Sequence, residues 1–141
     1  MRELPRQLSV AQLSELFEGH TRFVERLSQL PDPLGRAREV AASLSDDEKR
    51  EVLDAHPALG SRALSTRSAA EQGLDEVAEL DDLNAAYEER FGFRFVVFVN
   101  RRPKTELVPI LRDRLDRTRE EELATALDEL VSIAEDRWQR S

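Results

Sequence analysis

Only one stretch of this chain of 141 residues reads as extended backbone. Phe93 to Val99 is short and dense in aromatic and β-branched residues, the composition that favours a strand. One strand cannot build a sheet. The rest of the chain carries helical punctuation and periodicity, so the expected fold class is all-α. About seven to eight helices are expected, crossed by that one extended segment near 93–99. An isolated strand leaves backbone donors and acceptors unpaired unless something satisfies them. A polar, ring-shaped ligand is one candidate for that partner.

The helix signals are local and specific. Ser9 with Gln12 and Ser45 with Glu48 have capping-box spacing, as do Ser68 with Glu71 and Thr118 with Glu121. The first opens a helix expected to run to about Glu18. Thr21 opens a second, carrying Phe23, Val24, Leu27 and Leu30. Pro31-Asp32-Pro33 forces a break, and Leu34 to Ala42 is a short helix. The helix after Ser45 buries Val52 and Leu53 and stops at Ala55 or His56, because Pro57 disfavours helical geometry in the residue before it. Gly60 to Arg67 reads as a loop. A long helix follows Ser68, with Leu80, Leu83, Ala86 and Tyr87 at helical spacing and Gly92 as its stop. Asn100 to Pro103 is a turn. Leu107 to Leu115 is helical, with Pro109 tolerable only near its first turn. The last helix has an apolar face of Leu123, Leu127, Leu130, Val131, Ala134 and Trp138.

Length and composition narrow the function. A chain of this size reads as one domain over 1–141 and buries roughly 68 per cent of its unfolded surface. The net charge of −8 disfavours contact with phosphate backbones, so no nucleic acid is expected. With no cysteine there is no disulfide framework, thiol nucleophile or cysteine-ligated metal. The two histidines, His20 and His56, are too far apart to suggest a metal motif, and no metal is expected. No apolar run approaches the ~18 residues of a membrane span, and no signal region opens the chain. The expected location is cytoplasmic.

His56 precedes a proline at a helix end and titrates near neutral pH when unperturbed. It is either an acid–base group or a helix-terminal side chain packed on the following loop, and the spacing leaves both open. Glu71 is either the reciprocal arm of a capping box or a carboxylate that orients an imidazole or a ligand. Gln72 can donate and accept at once, which suits a urea or lactam group, or it is a solvated helix position. Arg137 lies at the edge of the last helix's apolar face. There it either meets a carboxylate or lays its stem over the core. Phe91, Phe93, Phe95 and Phe98 read as core, and His20 as surface.

Several of these residues stand in a recognisable order. His56-Pro57-x-Leu59, then Ser68-x-x-Glu71-Gln72, then Leu83-Asn84-x-x-Tyr87 with Phe91-Gly92-Phe93-x-Phe95-Val96 resemble one family. So does the ending Ile133-Ala134-x-x-Arg137. It is the 2-oxo-4-hydroxy-4-carboxy-5-ureidoimidazoline (OHCU) decarboxylases of uric acid degradation, and the resemblance covers nearly the whole chain. It implies an all-helical fold, no cofactor, a small-molecule substrate, (S)-allantoin as product and a homodimer. It also implies His56 as the catalytic acid–base residue and Glu71 as its acidic partner. Pro57, Ser68, Gln72, the segment Phe95, Val96, Val97, Phe98 and Val99, and Arg137 are the implied substrate contacts. Two features depart from the family's pattern. The link from His56 to Glu71 is shorter than in many members, and position 94 is arginine where many carry proline. The sequence leaves open whether Arg94 meets the ligand or solvent. Two rivals stand beside this reading: a decarboxylase or hydrolase acting on another ureido compound, and a non-enzymatic helical interaction domain.

Overall fold

The structure, a computed structural model, describes residues 3–56, 74–99 and 104–140, with only the backbone of 74–78 and 104–105. Among the described residues there are seven helices and no strand. They are α1 Val10–Leu16, α2 Arg22–Ser28, α3 Pro33–Ser43, α4 Asp46–Asp54, α5 Leu74–Phe91, α6 Lys104–Leu115 and α7 Arg119–Arg140. The long α7 packs against α1, α3 and α4, and α5 pairs with α6. The all-α expectation holds.

The capping signals are realised where they fall on described residues. Ser9 and Ser45 each accept from the third helical amide, while Gln12 and Glu48 reach back to the cap amide. Those reciprocal bonds hold the Glu48 carboxyl below its usual range. Thr21 caps α2, and Thr118 and Glu121 bond reciprocally before α7. Gly92 ends α5 with φ of 80°, a left-handed turn that glycine adopts without penalty. The cap of Ser68, the loop 60–67 and the turn 100–103 lie outside the described residues.

Four expectations need correction. The first helix stops at Leu16 rather than near Glu18, because Glu18 itself takes a left-handed φ of 65°. The second stops at Ser28, short of Leu30. On α5 the buried row is Leu80, Asn84, Tyr87 and Phe91, and Ala86 faces solvent. Asn84 takes the inward place because its amide donates to the Leu80 carbonyl one turn back, so a polar side chain is buried with its donor bonded. Pro109 lies inside α6 rather than in its first turn, since that helix already starts at Lys104. Burial of the neighbouring Leu107, Val108 and Leu111 outweighs an interior proline's cost of ~3 kcal/mol.

The segment 94–99 has no strand partner among the described residues, and helix side chains satisfy part of its backbone. The Arg94 amide donates to Asp54 Oδ1 at the end of α4 (2.9 Å), and Arg114 Nη1 of α6 donates to the Val96 carbonyl (2.9 Å). Phe93 and Phe95 turn inward onto the Tyr87 ring, at centroid distances of 5.8 and 5.1 Å. The Arg114 guanidinium lies 4.5 Å from the centroid of Phe95.

Arg114 is held in turn by Glu122, a fully buried carboxylate on α7. Glu122 Oε1 accepts from Tyr87 Oη at 2.7 Å and from Arg114 Nε at 2.6 Å, and Oε2 accepts from Arg117 Nη1 at 2.9 Å. Burial and the bond to Glu122 push the Tyr87 phenol well above its ordinary range, so it remains a neutral donor. The expected cost of Glu122→Gln is about 3 kcal/mol, because one buried and one half-buried arginine lose their counter-charge. Tyr87→Phe removes one of three donors and should cost about 1 kcal/mol. Urea denaturation midpoints of the two variants check that order.

Candidate functional site

His56 follows the end of α4, where its amide donates to the Leu53 carbonyl in a last tight turn. Its side chain is only 4% exposed, and its Nε2 has no hydrogen-bond partner among the described residues. A buried imidazole is expensive to charge. Burial lowers its pKa most, the cations of Arg137 and Arg94 lower it further, and the Glu18 carboxylate opposes them; the result is about 4. At neutral pH His56 is therefore an uncharged imidazole, able to accept a proton at one nitrogen and donate one from the other.

Three elements converge on it. The first is the turn after α1, which carries Glu18. The Glu18 carboxylate pairs with Arg137 Nη2 on α7, and Arg137 Nη1 donates to the Leu16 carbonyl at 3.1 Å. Glu18 thus supplies the carboxylate that the position of Arg137 calls for. The second element is α7 itself. The third is the segment 94–99, whose Arg94 donates from Nη1 to the His56 carbonyl at 2.6 Å and from Nε to Glu88 Oε1 at 3.2 Å. Arg94 is half-buried and bonded to the backbone of His56 rather than directed wholly at solvent.

Of the residues singled out from sequence, His56, Arg137 and the segment 95–99 are described, and the charge of Arg137 reaches the imidazole. Phe95, Val96 and Val97 are buried in the core, and Phe98 and Val99 are partly buried. The Phe95 ring is a packing group between Tyr87 and Arg114, and the Val96 carbonyl is already engaged by Arg114. Pro57, Ser68, Glu71 and Gln72 lie outside the described residues. His20 is exposed, as expected, and bonds Glu25 Oε1 at 2.9 Å. Among the described residues no group of three or more His, Asp or Glu side chains could hold a metal.

Sequence reasoning missed Glu18, Arg114 and Glu122, and it singled out Arg94 without finding its partners. A signal existed for two of them. Arg114 continues the row Leu107–Leu111 at helical spacing, and Glu122 precedes Ala126 and Leu130 on the same face of α7. Opposite charges on two apolar faces announce a buried pair.

A family model described as OHCU decarboxylase matches residues 2–139. A 2-oxo-4-hydroxy-4-carboxy-5-ureidoimidazoline decarboxylase of Haloferax volcanii is 32% identical over 137 residues, covering 86% of this chain and 81% of that protein. A uric acid degradation bifunctional protein of a Bacillus species is 31% identical over 105 residues, 68% of this chain but 21% of that protein. The crystal structure of an OHCU decarboxylase in the presence of (S)-allantoin superposes with a TM-score of 0.75 at 22% identity, covering 89% of this chain and 94% of that one; the fold is the same.

The pKa of His56 makes a stability prediction. Between pH 6.5, its ordinary value, and about 4, the unfolded chain binds a proton that the folded chain refuses. The stabilisation is present above 6.5 and is lost as pH falls through about 4. It amounts to about 3 kcal/mol. Urea denaturation of wild type and His56→Gln at pH 7 and pH 4 should show the wild type losing that much more stability than the variant.

Proposed function

The chain belongs to the OHCU decarboxylase family, and from that premise we propose that it removes carbon dioxide from OHCU to give (S)-allantoin in uric acid degradation. The observation that carries the reading is His56: a buried, uncharged imidazole with an unpartnered Nε2 among the described residues, under the influence of two arginines.

The substrate's chemistry explains what is asked of such a site. One ring carbon bears a hydroxyl and a carboxylate, and its neighbour is an imine carbon bearing the ureido group. When the bond to the carboxylate breaks, its electron pair moves into the imine, whose nitrogen takes up a proton. The resulting enol returns to a carbonyl when the hydroxyl proton leaves and a proton reaches the former imine carbon. The substrate supplies its own electron sink, so the proposal needs no cofactor. The protein must orient the carboxylate out of the ring plane and move a proton on one face.

In this reading neutral His56 accepts the hydroxyl proton and returns it to carbon, a contribution of about a hundred- to ten-thousandfold. The bound carboxylate raises the imidazole's proton affinity when it is needed, because an opposite charge favours the cation. Glu71 holds the imidazole or the hydroxyl. Pro57, Ser68 and Gln72 and backbone groups of Phe95 to Val99 contact the lactam and ureido groups, and Arg137 anchors a polar group. We extend the proposal, on the family resemblance alone, to one domain acting as a cytoplasmic homodimer. Among the described residues no helix is long and apolar enough to cross a membrane.

The test is to generate OHCU from urate with the two preceding enzymes and follow its decay by ultraviolet absorbance and the product by circular dichroism. Decay faster than the spontaneous rate with one enantiomer formed is the expected result. Spontaneous decay to racemic product, from folded protein, would return the chain to the interaction-domain reading. Glu71→Gln should lower turnover by a hundredfold or more with the melting temperature nearly unchanged. A large drop in melting temperature with turnover intact would assign Glu71 to capping instead.

A further inference from the structure

We propose that Arg94 is the positioning residue of His56, clamping the carbonyl of the residue that follows α4 to α5 and to the segment 94–99. The inference rests on the functional reading above for its kinetic part and on geometry alone for the rest.

One arginine makes three connections here. Its Nη1 donates to the His56 carbonyl at 2.6 Å, short even for a charge-assisted bond. Its Nε donates to Glu88 Oε1 on α5 at 3.2 Å, and its own amide donates to Asp54 Oδ1 at 2.9 Å. The Arg94 side chain is 29% exposed, so these bonds are only partly screened. The need for such a clamp follows from the local backbone. His56 lies two residues past the last residue of α4, where carbonyls have no intrahelical donor. A guanidinium is suited to the task because its planar fork serves two acceptors at once, which an ammonium on a flexible stem does less well. Fixing that carbonyl fixes the backbone from which the imidazole hangs. Displacement of a catalytic group by about an ångström can lower turnover about a hundredfold.

The clamp also carries charge. Among the described residues, the charged groups acting on the imidazole are Glu18 after α1, Arg94 in the segment and Arg137 on α7. Glu88 on α5 and Asp54 on α4 touch Arg94. Glu18 and Arg137 already pair with each other, so among the described residues removing Arg94 takes away a cation that no other group replaces. The His56 pKa then moves upward from about 4.

The chain has two histidines, so in a His20→Asn background the remaining imidazole is read directly by proton NMR titration. In that background Arg94→Gln should raise the His56 pKa, and Arg94→Lys should leave it in place. With OHCU as substrate, Arg94→Gln should lower kcat about tenfold or more with little change in KM, and Arg94→Lys should recover part of the loss. A dispersed NMR spectrum certifies that each variant is folded, and Arg94→Lys, which keeps the cation, stands in should Arg94→Gln fail to fold. In that event a wild-type kcat in Arg94→Lys overturns the proposal, and a lowered kcat with unchanged KM and pKa supports it. Wild-type kcat or an unmoved pKa in folded Arg94→Gln overturns it. Absence of turnover in the wild type would defeat the functional reading instead, while the imidazole titration still decides the role of Arg94.

Discussion

A single extended segment in a helical protein has to find hydrogen-bond partners from side chains, and the fully buried carboxylate of Glu122 organises much of that solution. It orients Arg114, whose other nitrogen holds the Val96 carbonyl, and it takes the Tyr87 hydroxyl, whose ring supports Phe93 and Phe95. Through Arg117 it also fixes the turn between α6 and α7. Burying such a group is costly unless each oxygen is bonded, and both oxygens are. The C-terminal end of α5 is secured in the same manner, by Arg119 on the Phe91 carbonyl and Arg50 on the Gly92 carbonyl.

The candidate site depends on that arrangement. With the segment anchored at Val96, Arg94 is presented to the end of α4, and His56 is held where Arg94, Arg137 and Glu18 act on it. The left-handed backbone at Glu18 ends α1 and carries the carboxylate that receives Arg137. Strained non-glycine backbone is retained where surrounding contacts over-determine it, and here the contact is the ion pair facing the imidazole. Burial and two cations together keep the imidazole neutral, which is the form a proton acceptor requires.

The parts of this fold legible in the sequence are those governed by neighbours in the chain. Ser9, Thr21, Ser45 and Thr118 announce helix starts because a cap and its amides lie within three residues. Gly92 announces a stop for the same reason. Ala86 and Asn84 were harder to place, since periodicity alone does not say that an asparagine can turn inward by bonding the carbonyl one turn back. The interior position of Pro109 reflects tertiary burial of its neighbours, which local rules do not weigh. In the site, His56 and Arg137 were legible from motif and spacing. Position 94 stood out as a departure from the family pattern, but the contacts of Arg94 and Glu18 were not legible, because Arg94 meets His56 38 residues away and Glu18 meets Arg137 119 residues away, and only the packed helices bring them together. Spacing gave no hint of them.

The central claim is that the imidazole at position 56 moves the proton during decarboxylation. The most direct measurement compares His56→Ala with His20→Ala for OHCU turnover and for the handedness of the allantoin formed, with folding checked by far-ultraviolet circular dichroism. Wild-type behaviour is expected for His20→Ala, whose imidazole is on the surface. His56→Ala should lose at least a hundredfold in turnover with native helicity retained. A folded His56→Ala that still makes a single enantiomer at the wild-type rate would remove the imidazole from the proton transfer.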